Sequence, residues 1–502
     1  MYRDTIAAIS TGMSASGIGI VRISGGKAFE VIDRIYHGKD QLSEAESHTI
    51  HYGFIKDGAE MIDQVLVSVM RSPRTFTGED TVEINCHGGI FVVKKVLEIV
   101  LKSGARLAEP GEFTKRAFLN GRMDLSQAEA VIDVINSQNE YALKSSVGQL
   151  RGSIKNAVNK IREKIIYHTA FIESALDDPE HISIEGYGEK LDLVLTEVMQ
   201  ELDQLIRSYD SGRIIKEGIQ TVILGKPNVG KSSLLNVLSG RERAIVTDIE
   251  GTTRDILEEQ VRIHGLNLNV IDTAGIRDTS DRIEKIGVDK AKEYADQADL
   301  IVYVADASRE LDENDIHIAE LIYGKRCVIL LNKSDLSTVI NKDDVKNFLR
   351  DIFFNVEKRV NQEQDLQEDD FENVKNGKNT VDKYVDKEDY IYHAVEQIPL
   401  IDISVKMEQG IQEFGTVLQK MFLEGAVSSN EEIHITNLRQ KEALTSAYAS
   451  LKRVQESIRD QMPEDFYSID LMDAYESLGS ITGEMIGEDL VNEIFSKFCM
   501  GK

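Results

Sequence analysis

The stretch Gly225-Lys-Pro-Asn-Val-Gly-Lys-Ser232 decides the fold of the middle of this chain. An apolar run at 221–225 predicts a buried strand before it, and Ser233-Leu-Leu-Asn-Val-Leu predicts a helix after it. A glycine-rich loop between a strand and a helix is typical of phosphate binding, because backbone N–H groups and the helix N-terminus both attract anions. We expect Lys231 to neutralise β- and γ-phosphate oxygens and Ser232 to ligate Mg²⁺.

Four further motifs follow in the order of a guanine-nucleotide domain: Thr247-Asp-Ile-Glu-Gly-Thr-Thr253, Asp272-Thr-Ala-Gly275, Asn332-Lys-Ser-Asp335 and Ser404-Val-Lys406. Thr253 is a second expected Mg²⁺ ligand. Asp335 can accept the N1–H and the exocyclic amine of guanine, donors that adenine lacks, which rejects the wrong base by roughly 10⁴-fold. The predicted GTP-binding residues are Asn228, Val229, Gly230, Lys231, Ser232, Ser233, Thr247, Asp248, Ile249, Glu250, Gly251, Thr252, Thr253, Asp272, Thr273, Ala274, Gly275, Asn332, Lys333, Asp335, Ser404, Val405 and Lys406.

The hydrolytic machinery departs from that of Ras, where a glutamine after the Asp-x-x-Gly motif orients the attacking water. Ile276 occupies that position here and cannot form a hydrogen bond, and the sequence shows no obvious arginine finger. Another residue must therefore position the water, and another cation must supply charge. Glu284 is the first candidate for the water, with Asp281 and Asp278 as weaker ones.

Strand and helix patterns alternate around these motifs and predict a doubly wound parallel sheet. The predicted strands are 221–225, 268–272, 300–305, 328–332 and 400–404. We expect an α/β + α protein with four segments: a small α+β domain (1–120), one half of a helical domain (121–215), an inserted Ras-like GTPase domain (216–425) and the second helical half (426–502). Residues 355–397 carry 12 acidic against 6 basic side chains, and we interpret them as an exposed, partly disordered insertion.

The composition narrows the class of protein further. The net charge of −28 disfavours indiscriminate binding to nucleic acid or anionic lipid, without excluding a local basic patch. No apolar run approaches the roughly 20 residues of a membrane span, so we expect no membrane association. The first residues lack a signal peptide, and three distant cysteines make no disulfide framework. We therefore expect a cytoplasmic protein.

Several motifs outside the phosphate loop resemble the MnmE (TrmE) family of tRNA-modification GTPases, and the likeness covers nearly the whole chain. They are Gly19–Gly25, Phe76-Thr-Gly-Glu-Asp80, His87-Gly-Gly89, Pro110-Gly-Glu-Phe-Thr-Lys-Arg-Ala-Phe-Leu-Asn120, Asp124-Leu-Ser-Gln-Ala-Glu-Ala130 and the C-terminal Phe498-Cys-Met-Gly-Lys502. The Cys-x-Gly-Lys ending is specific, because other GTPases share only the central motifs.

The resemblance implies K⁺-activated hydrolysis when two GTPase domains meet face to face. The family's K⁺ ligands fall on Asn228, Thr247, Ile249 and Thr252, and its water-orienting glutamate falls on Glu284. A bound cation there supplies the charge of the missing arginine finger. The alternative for Asn228 is a hydrogen bond that only stabilises the loop.

The resemblance also implies that the N-terminal domain dimerises and binds 5,10-methylene- or 5-formyl-tetrahydrofolate. The folate contacts carry over to Arg22, Glu83, Arg122 and Lys502, with Arg122 replacing the family's usual lysine. Cys499 matches the family's C-terminal cysteine, a nucleophile if Lys502 or Arg122 lowers its pKa, or otherwise a small buried hydrophobic residue.

The family acts with an FAD-dependent MnmG-type partner in a heterotetramer and modifies the wobble uridine (U34) of certain tRNAs at C5. The group added is carboxymethylaminomethyl or aminomethyl, with its one-carbon unit from tetrahydrofolate. The alternative is a ribosome-assembly or regulatory switch GTPase without modification chemistry, and the N-terminal domain and the Cys-x-Gly-Lys ending argue against it.

Overall fold

The computed structural model describes residues 4–241, 258–271, 292–368, 387–423 and 433–484, together with 491, 494–496, 498 and 501. The chain forms two compact units. The larger unit contains Met1–Ser137, Leu143–Tyr209 and Ile433–Lys502, and the α/β unit contains Gln138–Ala142 and Asp210–Glu432. Among the described residues, every helix is too short or too polar to cross a bilayer.

A seven-stranded sheet begins the larger unit, in the order β3-β4-β5-β6-β2-β1-β7. Its strands are Ile6–Ile9 (β1), Gly19–Ser24 (β2), Tyr36–Gly38 (β3), Thr49–Asp57 (β4), Glu60–Met70 (β5), Thr81–Cys86 (β6) and Arg106–Leu107 (β7). Neighbouring strands are antiparallel except the pair β1–β7. Val65, Val67 and Val69 alternate with more exposed residues, so one face is buried against the helices Ala28–Asp33 (α1) and Ile90–Lys102 (α2).

Helices complete the larger unit. They are Glu112–Leu119 (α3), Leu125–Asn136 (α4), Glu140–Leu150 (α5), Ser153–Asp177 (α6), Tyr187–Glu217 (α7), Leu438–Arg459 (α13) and Asp465–Thr482 (α14). The start of α5 and the end of α7 belong to the α/β unit. Asp124 caps α4 in a capping box with Gln127. Arg439 of α13 forms two hydrogen bonds with buried Glu129 of α4, at 2.9 and 3.0 Å, so one ion pair joins distant parts of the sequence.

The α/β unit contains a six-stranded sheet in the order β13-β12-β11-β8-β10-β9. Its strands are Ile219–Leu224 (β8), Glu258–Ile263 (β9), Leu266–Ile271 (β10), Leu300–Asp306 (β11), Cys327–Asn332 (β12) and Leu400–Asp402 (β13), and its helices are Lys231–Arg241 (α8), Glu313–Ile322 (α9), Lys342–Glu368 (α10), Lys387–Glu396 (α11) and Ile411–Leu423 (α12). All five predicted strands are present and parallel. The antiparallel edge strand β9 was not predicted.

The described parts of the acidic segment 355–397 differ from its interpretation as an exposed, partly disordered insertion. Helix α10 continues to Glu368, and α11 begins again at Lys387. Ile391 and Val395 of α11 are buried in the hydrophobic core of the unit. They are four residues apart and so share one helix face, a short periodicity that the surrounding charges obscured. Residues 369–386 lie outside the described part of the chain.

Candidate functional site

The phosphate loop joins β8 to α8 with an unusual backbone. Gly225 and Gly230 have φ of +150° and +106°, and Asn228 has φ of 62°. A Cβ at Gly225 would lie 2.4 Å from the carbonyl oxygen of Val304, and one at Gly230 would lie 2.3 Å from Nδ2 of Asn332. Both positions therefore require glycine, because the backbone conformation and the close neighbours each exclude a side chain.

One side chain of the phosphate loop is buried, and several others are exposed. Val229 packs into the core below the loop, whereas Asn228, Ser232 and Ser233 are exposed. Lys231 donates hydrogen bonds from Nζ to the carbonyl oxygens of residues 225 and 226, both at 2.7 Å. The loop thus curves around this ammonium group at the N-terminus of α8, where the helix dipole also favours a phosphate.

Asn332, the last residue of β12, joins the phosphate loop to the loop after β13. Its Nδ2 donates to the carbonyl oxygen of Val229 at 2.7 Å, and its Oδ1 accepts from the backbone N–H of Val405 at 3.1 Å. The side chain is buried, so both bonds are shielded from water. One amide therefore fixes two of the predicted nucleotide-binding loops against each other.

The predicted guanine-reading carboxylate, Asp335, is held by the neighbouring loop. Ser404 donates a hydrogen bond from Oγ to Oδ1 of Asp335 at 2.6 Å and accepts one from the N–H of Met407 at 3.2 Å. The bond from Ser404 lowers the pKa of Asp335, with smaller contributions from Lys406 and Lys333. The carboxylate is therefore ionised at neutral pH and can accept the two donors of guanine.

Asp306, at the end of β11, is a site residue that the sequence reasoning missed. Its Oδ2 pairs with Nζ of Lys333 at 2.6 Å, and its Oδ1 accepts from the N–H and hydroxyl of Ser308. Burial raises the pKa of Asp306, but the bonds from Lys333 and Ser308 outweigh that effect and hold it below its usual value. An acid at the carboxyl end of a parallel strand was the available signal.

The predicted switch and water-positioning residues lie outside the described part of the chain. They are Thr247, Asp248, Ile249, Glu250, Gly251, Thr252, Thr253, Asp272, Thr273, Ala274, Gly275 and Glu284. The described strand before Asp272 is β10, in which Ile271 pairs in parallel with Val222 of β8. The strand leading to Asp272 therefore lies next to the strand that leads to the phosphate loop.

A second candidate site lies in the larger unit, on the sheet face opposite the core. Arg22 of β2 and Glu83 of β6 are register partners, and Nε of Arg22 donates to Oε1 of Glu83 at 2.8 Å. The guanidinium group of Arg22 also lies 5.7 and 5.6 Å from the rings of Phe76 and Phe113. Both members of the pair are partly exposed.

The C-terminal end of the chain meets this pair. The carbonyl oxygen of Gly501 accepts from Oγ of Ser10 at 3.1 Å and from Nη1 of Arg22 at 3.5 Å. Gly501 has φ of +89°, and a Cβ there would lie 2.1 Å from the carbonyl oxygen of Ile9. The terminal glycine of Cys-x-Gly-Lys is thus required for this close contact, while Cys499 and Lys502 lie outside the described residues.

Arg122, the remaining predicted folate contact, has a different environment from the Arg22–Glu83 pair. Its Nε donates to the carbonyl oxygen of Thr75 at 3.1 Å, and its side chain lies beside Gly78. It is therefore attached to the loop that carries the Phe-Thr-Gly-Glu-Asp motif. The structure brings Arg22, Glu83 and Gly501 together and shows no direct contact between them and Arg122 among the described residues.

The parallel sheet, the phosphate loop and the guanine-reading loops define the class of this protein as a P-loop guanine-nucleotide-binding protein. Comparison with known families is more specific. Residues 5–122 match the family model of the GTP-binding protein TrmE N-terminus, and residues 125–499 match that of the MnmE helical domain.

Relatives that align over the full length of the chain indicate the same family. The chain is 52% identical over 505 residues to the tRNA modification GTPase MnmE of Lachnoclostridium phytofermentans and 46% identical over 505 residues to that of Acetivibrio thermocellus, with all of both chains covered in each case. It is 43% identical to the MnmE protein of Clostridioides difficile over 99% of each chain. The chain belongs to the MnmE family of tRNA modification GTPases, and it is a GTPase.

Proposed function

We propose that this GTPase, with an FAD-dependent MnmG-type partner, modifies the wobble uridine of certain tRNAs at C5. The product carries a carboxymethylaminomethyl or aminomethyl group whose one-carbon unit comes from 5,10-methylene-tetrahydrofolate; 5-formyl-tetrahydrofolate is a related ligand. The observation that carries this proposal is the pairing of Arg22 and Glu83 beside the carbonyl oxygen of Gly501. A cytoplasmic location fits a tRNA substrate.

The residues of the N-terminal site suit the polar ends of a folate. A carboxylate such as Glu83 accepts hydrogen bonds from the donor edge of a pterin, as Asp335 does from guanine. Arg22, Arg122 and Lys502 are basic residues that suit the glutamate moiety. Folate, when bound, supplies the one-carbon unit, while these side chains bind and orient it. Cys499 is the candidate nucleophile, provided that a neighbouring base lowers its pKa.

The nucleotide site suits GTP hydrolysis with two cations. Mg²⁺, when bound, neutralises phosphate charge, and the hydroxyls of Ser232 and Thr253 are its proposed ligands. K⁺, when bound, adds charge near the β/γ bridge, and Asn228, Thr247, Ile249 and Thr252 are its proposed ligands. The exposed amide of Asn228 at the crest of the loop supports this assignment. Lys231 binds the phosphates, and Glu284 orients the water.

The sheet of the larger unit carries a face that suits homodimerisation. Ile50 and Tyr52 of β4 and Leu66 of β5 are 67%, 55% and 48% exposed, and Tyr52 and Leu66 are register partners. Each copy carries a net charge of −28, so two copies repel one another unless they meet through an uncharged surface. Ile50, Tyr52 and Leu66 form an uncharged apolar patch on the sheet face that also carries Glu83, and this patch is our proposed contact between two copies.

Sedimentation measurements test the dimer. We expect the wild-type chain to sediment as a dimer and a Tyr52→Lys/Leu66→Glu variant as a monomer. Ile469→Glu is the matched control, because Ile469 is also exposed, at 62%, but lies on α14. A double variant that remains dimeric would remove this face from the proposal and leave the folate and GTP sites untouched.

A conformational cycle is our proposed link between hydrolysis and modification. Asn267 of β10 donates from Nδ2 to Oε1 of Gln138 at 3.1 Å, and Asn139 donates to the carbonyl oxygen of Ile215 at 3.1 Å. Strand β10 leads directly to Asp272. The segment Gln138–Ala142 lies in the sequence next to helix α4 of the larger unit, so it is a route by which closure of paired GTPase domains can be transmitted. Equal spin-label distances between the two GTPase domains of a dimer in the apo and GDP–AlFx–K⁺ states would contradict the proposed cycle.

K⁺ dependence tests the hydrolytic part of the proposal. Asn228→Ala should abolish K⁺ stimulation of GTP turnover and leave GTP binding near normal, because Asn228 is exposed and its side chain is proposed to bind only the cation. Stimulation that persists in the variant would assign Asn228 to loop stability alone.

A second variant tests the water-positioning residue. Glu284→Ala should lower turnover sharply without loss of nucleotide affinity, because the glutamate is proposed to act on water and not on the nucleotide. Wild-type turnover in this variant would return Asp281 and Asp278 to consideration.

A further inference from the structure

The second residue of the phosphate loop, Lys226, is attached to helix α9 and not to the nucleotide-facing side of the loop. Its Nζ lies 2.7 Å from Oδ2 of Asp315 and 2.9 Å from Oδ2 of Asp312. The Lys226 side chain is 15% exposed and that of Asp315 is 1% exposed. The pair with Asp315 is therefore buried, unlike an ordinary surface ion pair, and removing one partner would leave a charge out of reach of water.

Asp315 is held from three directions. Besides Lys226, it accepts the hydroxyl of Tyr303 on Oδ1 at 2.7 Å and the N–H of Asp312 on Oδ2 at 2.8 Å. Tyr303 belongs to β11 and is the register partner of Leu224, the residue directly before the phosphate loop. The carboxylate is thus fixed to a rigid strand beside the loop, and it gives Lys226 a fixed point of attachment.

The backbone of Lys226 contacts Lys231, the residue that we expect to bind the phosphates. The carbonyl oxygen of Lys226 and that of Gly225 both accept a hydrogen bond from Nζ of Lys231, each at 2.7 Å. The side chain and the carbonyl of one residue therefore connect a buried carboxylate to the lysine that binds the phosphates. Displacement of such a group by about 1 Å can cost about a hundredfold in rate.

We infer that Lys226 is a positioning residue for GTP hydrolysis, because its buried attachment to Asp315 fixes the two carbonyl groups that orient Lys231. Lys226 binds no phosphate in this account. Its role is to preorganise the loop, so that nucleotide binding does not have to order it.

The test compares nucleotide affinity with folding in the full-length chain. We expect Lys226→Met to weaken the affinity for a fluorescent GDP analogue by roughly tenfold and to lower kcat/KM for GTP by a similar factor or more, because loop and lysine are no longer preorganised. Lys226→Arg should stay within about threefold of wild type, since its guanidinium group can still reach Asp315.

Two further variants separate positioning from charge balance. Lys226→Met/Asp315→Asn removes the unpaired buried charge, so we expect its thermal midpoint to recover while its GDP affinity stays low. Lys325→Met is the matched control, because Lys325 forms an ion pair with Asp296 on the surface of the same unit. We expect no change in its GDP affinity.

Three results would overturn the inference: wild-type GDP affinity in Lys226→Met, recovery of affinity together with thermal stability in the double variant, or failure of Lys226→Arg to rescue. Each would show that Lys226 only balances charge or contacts the nucleotide by itself.

Discussion

The nucleotide site of the α/β unit and the candidate site on the N-terminal sheet are built in opposite ways. The nucleotide site takes its side chains from the loops that follow the carboxyl ends of the parallel strands β8, β11, β12 and β13. The second pairs residues across antiparallel strands, 61 positions apart for Arg22 and Glu83 and 479 for Arg22 and Gly501. Local motifs therefore mark most residues of the first site, whereas the pairing at the second site depends on strand register and on contacts between distant parts of the chain.

We also expect ligand binding at the two sites to be independent. The test with the largest expected effect changes the base that the nucleotide site recognises. Asp335→Asn should lower GTP affinity by roughly 10⁴-fold, because an amide cannot accept both donors of guanine. Xanthosine triphosphate, which has a carbonyl in place of the amine, should restore turnover. Folate binding should not change. GTP affinity, turnover of xanthosine triphosphate and folate affinity would be measured on the same preparation.

Loss of folate binding in Asp335→Asn would contradict the independence of the two sites, because the N-terminal site would then depend on the occupancy of the nucleotide site. Unchanged GTP affinity would contradict the assigned role of Asp335.

The reactivity of two cysteine thiols tests how well solvent is excluded from the hydrophobic cores of the two units. Burial raises the pKa of Cys86, in the N-terminal sheet, to about 11 and that of Cys327, in the α/β sheet, to about 12. Both thiols are therefore protonated at pH 8. From the thiolate fraction, Cys86 should react with iodoacetamide a few hundredfold (~10²) and Cys327 a few thousandfold (~10³) more slowly than an ordinary thiol near pKa 8.5. Mass spectrometry of the labelled peptides measures this.

Cys499 provides the internal comparison in the same experiment. If a neighbouring base lowers its pKa, it should carry nearly all of the label at pH 8. Equal labelling of Cys86 would contradict its burial, and slow labelling of Cys499 would contradict its proposed role as a nucleophile.

Glu83→Gln is the counterpart of Asp335→Asn in the larger unit. It keeps the size of the side chain but removes the charge, so folate binding should weaken by about 1.5–3 kcal/mol, the contribution of a hydrogen bond to a charged group. GDP affinity should not change. Calorimetric titration with 5-formyl-tetrahydrofolate and with GDP measures both, and equal folate affinity would remove Glu83 from the site.

Ser404→Ala gives the smallest effect and adds a pH dependence. We expect a roughly tenfold loss of GDP affinity, because Asp335 loses its orienting hydrogen bond. In the wild type that bond lowers the pKa of Asp335, so the carboxylate stays ionised as the pH falls towards the usual value of 3.8. The variant should therefore lose affinity at a higher pH than the wild type, and titrations with folding monitored by circular dichroism measure the difference.

The sequence predicted the parallel strands of the G-domain sheet well because they are mostly apolar and alternate with helical patterns. It did not predict β9, which contains charged residues and pairs only at the sheet edge. Asp306 and Lys226 were missed for a related reason. Their roles depend on contacts with Lys333 and Asp315, 27 and 89 residues away, that no spacing within a motif reveals.

In the N-terminal domain the sequence identified Arg22 and Glu83 only through family resemblance. Their pairing follows from the register between β2 and β6, which a single sequence does not specify. The contact of Gly501 with Ile9 was likewise beyond reach, because it joins the two ends of the chain.

Wobble-uridine analysis in a deletion strain tests the central claim most directly, namely that two separate sites of this chain serve one modification. The strain should lack the C5 modification, and wild-type protein should restore it. Glu83→Gln, which retains GTP hydrolysis, and Asp335→Asn, which retains folate binding, should each fail to restore it. Full modification with Glu83→Gln despite weakened folate binding, or unaltered tRNA in the deletion strain, would contradict the account.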